Sequence, residues 1–241
     1  MDQAAEWLGI ERRPRREAER VVGELEERLG RTVPGAVRSL LLYDGLVEAL
    51  ARTYEAQPGL RRGRVLTPAE MPGVDGDVLW LMSENQGVCV WGVPLDRGDD
   101  PPVLVGGELC GEATSPAQYA DSIEAFASSW AWDQRLLGRT PLVEAGTWPL
   151  GAEAEELLVT RFERRPTTRG WPCRRNLRFE APTGVCLLLG ACARGTDWTI
   201  SGPDAASVEQ CLRDLVPRFD LQPGFAAHDA AGIALLDRVR R

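Results

Sequence analysis

The sequence predicts an α+β fold, in which amphipathic helices precede a sheet of short strands and a second β-rich segment follows. Three observations support this prediction. Apolar residues recur with helical spacing before residue 57. Short runs rich in β-branched and aromatic residues begin at residue 77 and again at residue 156. A further helical pattern follows each group of runs, at residues 115–126 and 208–215. The first sheet is predicted to be antiparallel or mixed.

The clearest predicted helix covers Arg15 to Leu29. Its apolar residues recur every three or four positions and so share one face: Ala18, Val21, Val22, Leu25 and Leu29. Gly30 follows as a C-terminal cap. The opposite face carries both arginines and glutamates, and because their charges nearly cancel, this face is typical of a solvated surface. Helical spacing resumes after Pro34 and reaches Tyr54.

The first sheet is predicted from three runs, Val78–Met82, Val88–Val93 and Pro102–Gly106. A glycine-containing turn separates the first two runs. A helix is then predicted over Ser115–Phe126, because Ser115 and Gln118 have the spacing of a capping box and Pro116 suits a first helical position. Four aromatic or apolar residues with helical spacing are expected in the core: Tyr119, Ile123, Phe126 and Trp130.

Residues 138–151 are rich in proline and glycine and predict a linker or long loop. This divides the chain into a domain at residues 1–137 and a C-terminal segment at residues 152–241. The segment is predicted to contain four strands, at Glu156–Glu163, Asn176–Ala181, Val185–Ala191 and Asp197–Ile200. A helix follows, with Val208, Cys211, Leu212 and Leu215 on one face and Pro217 at its end. A last short helix is predicted to turn Ile233, Leu236 and Val239 inward.

The composition argues against several kinds of active site. All 28 basic residues are arginine, and His228 is the only histidine. Because most acid–base and metal chemistry near neutral pH uses histidine, neither a hydrolase triad nor a catalytic zinc site is expected, although carboxylate chemistry stays open. No metal and no cofactor are predicted.

The cysteines lack a Cys-x-x-Cys pair, which argues against a zinc ribbon or a thioredoxin-like motif. They are expected to be reduced structural thiols: Cys89, Cys110, Cys173, Cys186, Cys192 and Cys211. Apolar runs reach only about five residues, whereas a membrane-spanning helix needs roughly 20. The first residues also lack the features of a signal peptide. A cytoplasmic protein without a membrane partner is therefore the expectation.

Charge is distributed unevenly along the chain. Between Val65 and Phe126 there are eleven acidic residues and one basic residue, Arg97. Such a region repels nucleic acid and attracts a basic partner. Five acids are candidates for a partner-facing patch: Asp96, Asp99, Asp100, Glu108 and Glu112. The alternative is that these acids only keep the protein soluble.

A basic stretch lies further along the chain. Between Arg161 and Arg178 there are seven arginines and one acid, Glu163. Arginines of this kind bind phosphate in some proteins, but no aromatic platform or recognised motif accompanies them here. Nucleic-acid binding is therefore not the prediction, and a solvated loop edge is favoured.

The most specific stretch is Glu84-Asn85-Gln86-Gly87, which leads to Trp91 and then to Asp100-Pro101-Pro102-Val103. These motifs resemble the SUKH superfamily, best known as bacterial immunity proteins of polymorphic toxin systems. The resemblance covers about residues 18–137. One departure is the single glycine at Gly45, where the family often has two. Residues 152–241 resemble no family, so a degenerate second copy and an appended module both stay open.

The resemblance implies a non-catalytic protein that neutralises a cognate toxin by occlusion, without turnover. The toxin is expected to be basic, as a nuclease would be. Two alternatives stay open: a scaffold or regulatory module, and an enzyme with carboxylate or cysteine chemistry. The hairpin residues are interpreted as forming the fold rather than a catalytic site: Glu84, Asn85, Gln86, Gly87 and Trp91. The sequence does not predict an oligomeric state.

Overall fold

The computed structural model describes residues 1–61, 64–65, 77–109, 112–221 and 225–239, with the backbone alone at residues 61, 64–65, 108–109 and 112–115. The described chain divides into two compact units, Met1–Gln134 and Arg135–Arg241. Each unit combines helices with an antiparallel sheet. The predicted α+β class is therefore confirmed.

The first unit begins with four helices. These are α1 (Asp2–Leu8), α2 (Arg15–Leu29), α3 (Gly35–Leu41) and α4 (Leu46–Ala51), followed by a 3₁₀ turn at Arg52–Tyr54. Helix α2 has the predicted bounds, and its apolar face is buried. Gly30 ends it with φ 65°, the left-handed conformation that glycine adopts without steric cost.

The main sheet of the first unit has five strands in the order β1-β4-β5-β6-β7. Its strands are β1 (Gln57–Pro58), β4 (Val78–Ser83), β5 (Val90–Pro94), β6 (Val103–Leu109) and β7 (Glu112–Ala120). Two further strands, β2 (Leu60–Arg61) and β3 (Arg64–Val65), form a separate two-stranded sheet. Helix α5 (Ile123–Leu137) follows the sheet, and the boundary between the units falls within its last turn.

The predicted helix over Ser115–Phe126 is wrong in its first half. Residues 112–120 form strand β7, and α5 begins only at Ile123. The capping-box pattern is a local signal, whereas β7 is held by long-range pairing with β6, as at Ala117 and Val105. Pro116 is tolerated because β7 is the edge strand of the sheet, where a missing N–H is not needed by a neighbour.

The aromatic residues predicted for the core are confirmed there. Trp91, Tyr119, Phe126 and Trp130 are all fully buried. The ring of Trp130 lies 5.0 Å from that of Trp91 and 4.9 Å from that of Phe126, measured between centroids. Trp130 Nε1 also donates a hydrogen bond of 3.0 Å to the Tyr119 hydroxyl. This cluster joins β5, β7 and α5.

The second unit contains a six-stranded sheet in the order β13-β8-β12-β11-β10-β9. Its strands are β8 (Leu142–Thr147), β9 (Glu163–Arg169), β10 (Arg175–Glu180), β11 (Cys186–Ala191), β12 (Thr196–Ser201) and β13 (Ala226–Ala227). Its helices are α6 (Ala152–Arg161), α7 (Ala205–Phe219) and α8 (Ala230–Val239). One sheet face, including Leu177, Leu189 and Trp198, forms a core with Leu212 of α7 and Leu235 of α8.

The predicted secondary structure of two segments in this unit is wrong. Residues 142–147, expected in a linker, form strand β8, which pairs with β12 on one side and β13 on the other. The expected strand Glu156–Glu163 is mostly helix α6. Its alanine, glutamate and leucine residues are strong helix formers, and Glu153 and Glu155 lie in the first turn, where negative charge is stabilising.

The two C-terminal helices differ from the prediction in detail. Helix α7 continues through Pro217 to Phe219. Ile233, predicted to face inward, has 52% of its surface exposed. Helix α8 instead buries Leu235, Leu236 and Val239, and Ile233 lies away from this stripe.

The expectation that all cysteines are reduced is wrong for one pair. Cys173 and Cys192 form a disulfide with a Cα–Cα distance of 5.0 Å. Both residues lie just beyond the Arg175–Ala191 pair at the end of the β10–β11 ladder, so the sheet register brings them together. Cys186 is buried, and burial raises the pKa of the Cys89 thiol to about 12. Cys110 lies outside the described residues.

Candidate functional site

Asp99, one of the predicted partner-binding acids, caps helix α3. It lies in the loop between β5 and β6, and its Oδ1 accepts a hydrogen bond of 2.6 Å from Gly35 N. Its carbonyl oxygen accepts another from Ala36 N at 2.9 Å. A Cβ atom at Gly35 would lie 2.5 Å from Asp99 Oδ2, so only glycine allows this close approach.

Asp100, the next residue, caps helix α5. Its Oδ1 accepts hydrogen bonds from Ile123 N at 2.9 Å and from Glu124 N at 3.4 Å. Ser122 adds a local cap, because its Oγ accepts from Ala125 N at 3.1 Å. Neighbouring carboxylates of one loop therefore bind the N-termini of two helices, whose partial positive charge stabilises both anions.

These carboxylates line a surface cavity of about 640 Å³ within the first unit. Helices α1 and α3, the β5–β6 loop and the start of α5 all contribute to its walls. We call this cavity the acidic cleft, because four carboxylates line it: Asp2, Asp99, Asp100 and Glu124. Arg12 also lines it, and the N-terminal ammonium of Met1 lies 3.3 Å from Glu124 Oε1. The four negative charges thus exceed the two positive charges.

Asp2 and Tyr43 are coupled in the wall of the acidic cleft, where the Tyr43 hydroxyl donates a hydrogen bond to Asp2 Oδ1. This hydrogen bond lowers the pKa of Asp2 below its ordinary value of 3.8. The same bond raises the pKa of Tyr43 above its ordinary value of 10.0. Asp2 is consequently anionic, and Tyr43 neutral, across the physiological pH range.

The variant Tyr43→Phe is expected to raise the pKa of Asp2 back toward 3.8, because the hydroxyl donor is lost. Carbon-13 NMR of the Asp2 carboxyl during an acid titration measures this. In the wild type, the bond contributes to stability above the unfolded pKa of Asp2 and is lost as pH falls through the lower folded value. It is lost again as pH rises through the raised pKa of Tyr43. An unchanged Asp2 titration in the variant would contradict the coupling.

The other predicted site residues are not among the described residues that line the acidic cleft. Asp96 is exposed, and its nearest ion-pair contact is Arg97 Nε at 4.0 Å. Glu108 and Glu112 lie on β6 and β7, near the connection between these strands, and their side chains lie outside the described residues. The structure therefore brings Asp99 and Asp100 together with Asp2 and Glu124, which the sequence did not single out.

Residues of the hairpin motif stabilise the turn that they form. Glu84 is buried, and its Oε2 accepts from Gln86 N at 2.7 Å and from Val88 N at 3.4 Å. Gly87 has φ 78°, which favours glycine. The Asn85 side chain donates a hydrogen bond to Glu55 Oε2 at 3.2 Å. These contacts give Glu84 and Asn85 structural partners.

The arginine-rich stretch of the second unit is largely paired with carboxylates. Four acids accept these ion pairs, which are Arg161–Asp214, Arg164–Glu155, Arg175–Glu155, Arg165–Glu163 and Arg165–Glu180. Arg178 is fully buried and donates to Thr168 Oγ1 and to two backbone carbonyls. Local pairing reduces the positive charge that a phosphate backbone would meet.

Three ligand-bearing side chains of the described residues lie close enough together to share a metal ion: Cys173, Cys192 and Asp197. They belong to the second unit and lie outside the acidic cleft. Elsewhere, hydrogen bonds from Arg238 and Arg213 lower the pKa of Glu209, which favours the anion rather than a proton donor. Desolvation raises the pKa of the Cys211 thiol to about 12, which disfavours the nucleophilic thiolate.

Comparisons with protein-family models, with curated proteins and with solved structures find no match to this chain. The resemblance to the SUKH superfamily therefore depends on the motif residues alone. In the part of the chain that the structure describes, no helix combines the length and apolar character needed to cross a bilayer.

Proposed function

We propose that this protein is a non-catalytic binding protein whose acidic cleft receives a basic surface of another protein. The observation that carries the proposal is the set of carboxylates around the cleft, with Asp99 and Asp100 each fixed by a helix N-terminus. Groups already held in place lose little conformational entropy on binding. An arginine or lysine of the partner would find anionic acceptors already in position.

The charge of the first unit supports a basic partner. Residues 1–134 carry 23 acidic and 13 basic side chains, a net charge of −10. Residues 135–241 carry 13 acidic and 15 basic side chains, a net charge of +2. A net negative charge on one unit attracts a cationic partner and orients it during encounter.

The partner we propose is a toxin that the bound protein occludes, so that this chain acts as a cytoplasmic immunity protein. The SUKH-like motifs suggest this role. A nuclease toxin fits the charge, because a protein that binds polyanionic nucleic acid carries a basic surface. The proposed mechanism is steric and electrostatic blockade and requires no cofactor.

A scaffold or regulatory module is a second candidate, and Trp148 favours it. This residue follows β8 in the second unit and has 81% of its surface exposed. Exposed tryptophans are uncommon on free surfaces and enriched at protein interfaces. A second interface, separate from the acidic cleft, would suit a protein that joins two partners.

The test introduces a positive charge into the acidic cleft without removing any described hydrogen bond. Gln3 lines the cleft and is exposed, so Gln3→Arg changes its charge at little cost to folding. Gln86→Arg, at the exposed hairpin turn, is the matched control. The proposal predicts a toxin gene beside this one. The toxin domain that it encodes is the partner in the test, and calorimetry measures its affinity at low and high salt.

We expect Gln3→Arg to weaken binding about tenfold, because like charges then face each other. Gln86→Arg should bind as the wild type does, and high salt should weaken the wild-type complex. Equal affinities for wild type and Gln3→Arg would refute the acidic cleft as the binding site. Co-expression tests the immunity role, which fails if no toxin gene lies beside this one or if the wild type gives no protection.

A further inference from the structure

The sulfur atoms of Cys173 and Cys192 and the carboxylate of Asp197 lie close together beside Gly190 in the second unit. The two sulfur atoms and one carboxylate oxygen all lie within 4.8 Å of one another. Gly190 of β11 pairs directly with Asp197 of β12, and Cys192 comes two residues after Gly190. A Cβ atom at Gly190 would lie 3.0 Å from the Cys173 sulfur, so the missing side chain leaves room for the cluster.

This set of donors is suited to a thiophilic divalent cation. Zinc binds cysteine thiolates and carboxylates, and a site with three protein ligands keeps its fourth position for water. Two Zn–S bonds of about 2.3 Å hold their sulfurs about 3.8 Å apart in a tetrahedral site. In the disulfide the two sulfurs are directly bonded, so they must move apart after reduction before both can bind an ion.

One side of this cluster is open to solvent, so an ion could reach it. Cys173 is buried, Cys192 is partly buried and Asp197 is exposed. An ion bound here would therefore have protein on one side and solvent on the other. Asp197 would be its outermost ligand and would partly neutralise the cation.

We propose that this cluster is a zinc site in the reduced protein and a disulfide in the oxidised protein. A low-molecular-weight thiol supplies two electrons and two protons, which break the S–S bond and give two thiols, while the reductant becomes its own disulfide. Binding of Zn²⁺ then displaces both thiol protons. The two forms exclude each other, because both use the same sulfur atoms. The proposal is independent of the acidic cleft and of its partner.

Cobalt is the probe for the test, because Co²⁺ replaces Zn²⁺ and gives intense thiolate charge-transfer absorption. The protein is reduced with a phosphine, and far-UV circular dichroism establishes that it stays folded. The reduced wild type is expected to show these bands and to lose them when zinc is added. The oxidised wild type should show none. Unfolding on reduction, or absence of the bands in folded reduced protein, would overturn the site.

Variants then identify the ligands. Cys173→Ser, which leaves one of the two thiolates, and Asp197→Asn, at an exposed position, are each expected to weaken cobalt binding about tenfold or more. Cys211→Ser, which removes a thiol elsewhere in the second unit, is the matched control and should bind as the wild type does. Loss of the bands in the control, or unchanged binding by Asp197→Asn, would contradict the assignment.

Discussion

Replacement of Trp130 by alanine is expected to lower the free energy of unfolding of the first unit by about 4 kcal/mol. The side chain is fully buried and packs edge-on against Tyr54 and Trp91, with centroid distances of 5.1 Å and 5.0 Å. The variant also removes the donor to the Tyr119 hydroxyl. Urea denaturation followed by circular dichroism measures the loss, with separate transitions fitted for the two units where they occur.

Trp148→Ala is the control for this prediction. It removes the same side chain, but from a position where 81% of the surface is exposed. We expect a change below about 0.5 kcal/mol, because surface substitutions away from special contacts have small effects. If both variants lost a comparable free energy of unfolding, the aromatic cluster would not stabilise the first unit as its packing indicates.

Removal of the Cys173–Cys192 crosslink is expected to destabilise the second unit by about 3 kcal/mol. The bond joins residues 19 positions apart, and a loop of this length restricts the unfolded chain by about that amount. The variant is the double substitution Cys173→Ala/Cys192→Ala, and chemical denaturation without reductant measures the loss. Because domains have stabilities of about 5–15 kcal/mol, we expect the uncrosslinked unit to stay folded.

Reductant provides the control for the crosslink. It should lower the stability of the wild type toward that of the double variant, and it should leave the double variant unchanged. An equal effect of reductant on both proteins would mean that another process, and not this bond, is responsible.

The parts of the fold that the sequence predicted are those with local periodic signals. Helix α2 has an uninterrupted apolar stripe and a terminal glycine, and both of its bounds are as predicted. Strands β10 and β11 are separated by a turn with Gly184 at φ 80°, and the prediction located both. In each case the sequence pattern that predicts the element lies within the element or within a few residues of it.

The elements that were missed depend on distant partners. Strand β7 contains Pro116 and a capping pattern, and only its pairing with β6 makes it a strand. Strand β8 lies in a stretch with proline and glycine at both ends, and its place between β12 and β13 is set by residues 49 or more positions away. The disulfide was missed for the same reason, because the strand register positions its cysteines.

The candidate site was predicted only in part. The density of acids identified Asp99 and Asp100, but their hydrogen-bond donors are not adjacent in sequence: Gly35 lies 64 residues from Asp99, and Ile123 lies 23 residues from Asp100. Asp2 was missed, because its place in the cleft is set by contact with Tyr43, 41 residues away.

The double helix cap formed by the β5–β6 loop changes how mutagenesis of this surface must be interpreted. Loss of a cap typically costs about 1 kcal/mol. An alanine scan would therefore score Asp99 and Asp100 as important even for a ligand that never touches them, since the ends of α3 and α5 would fray and distort the neighbouring surface. A positive charge added at a neighbouring residue that caps neither helix, such as Gln3, avoids this false positive.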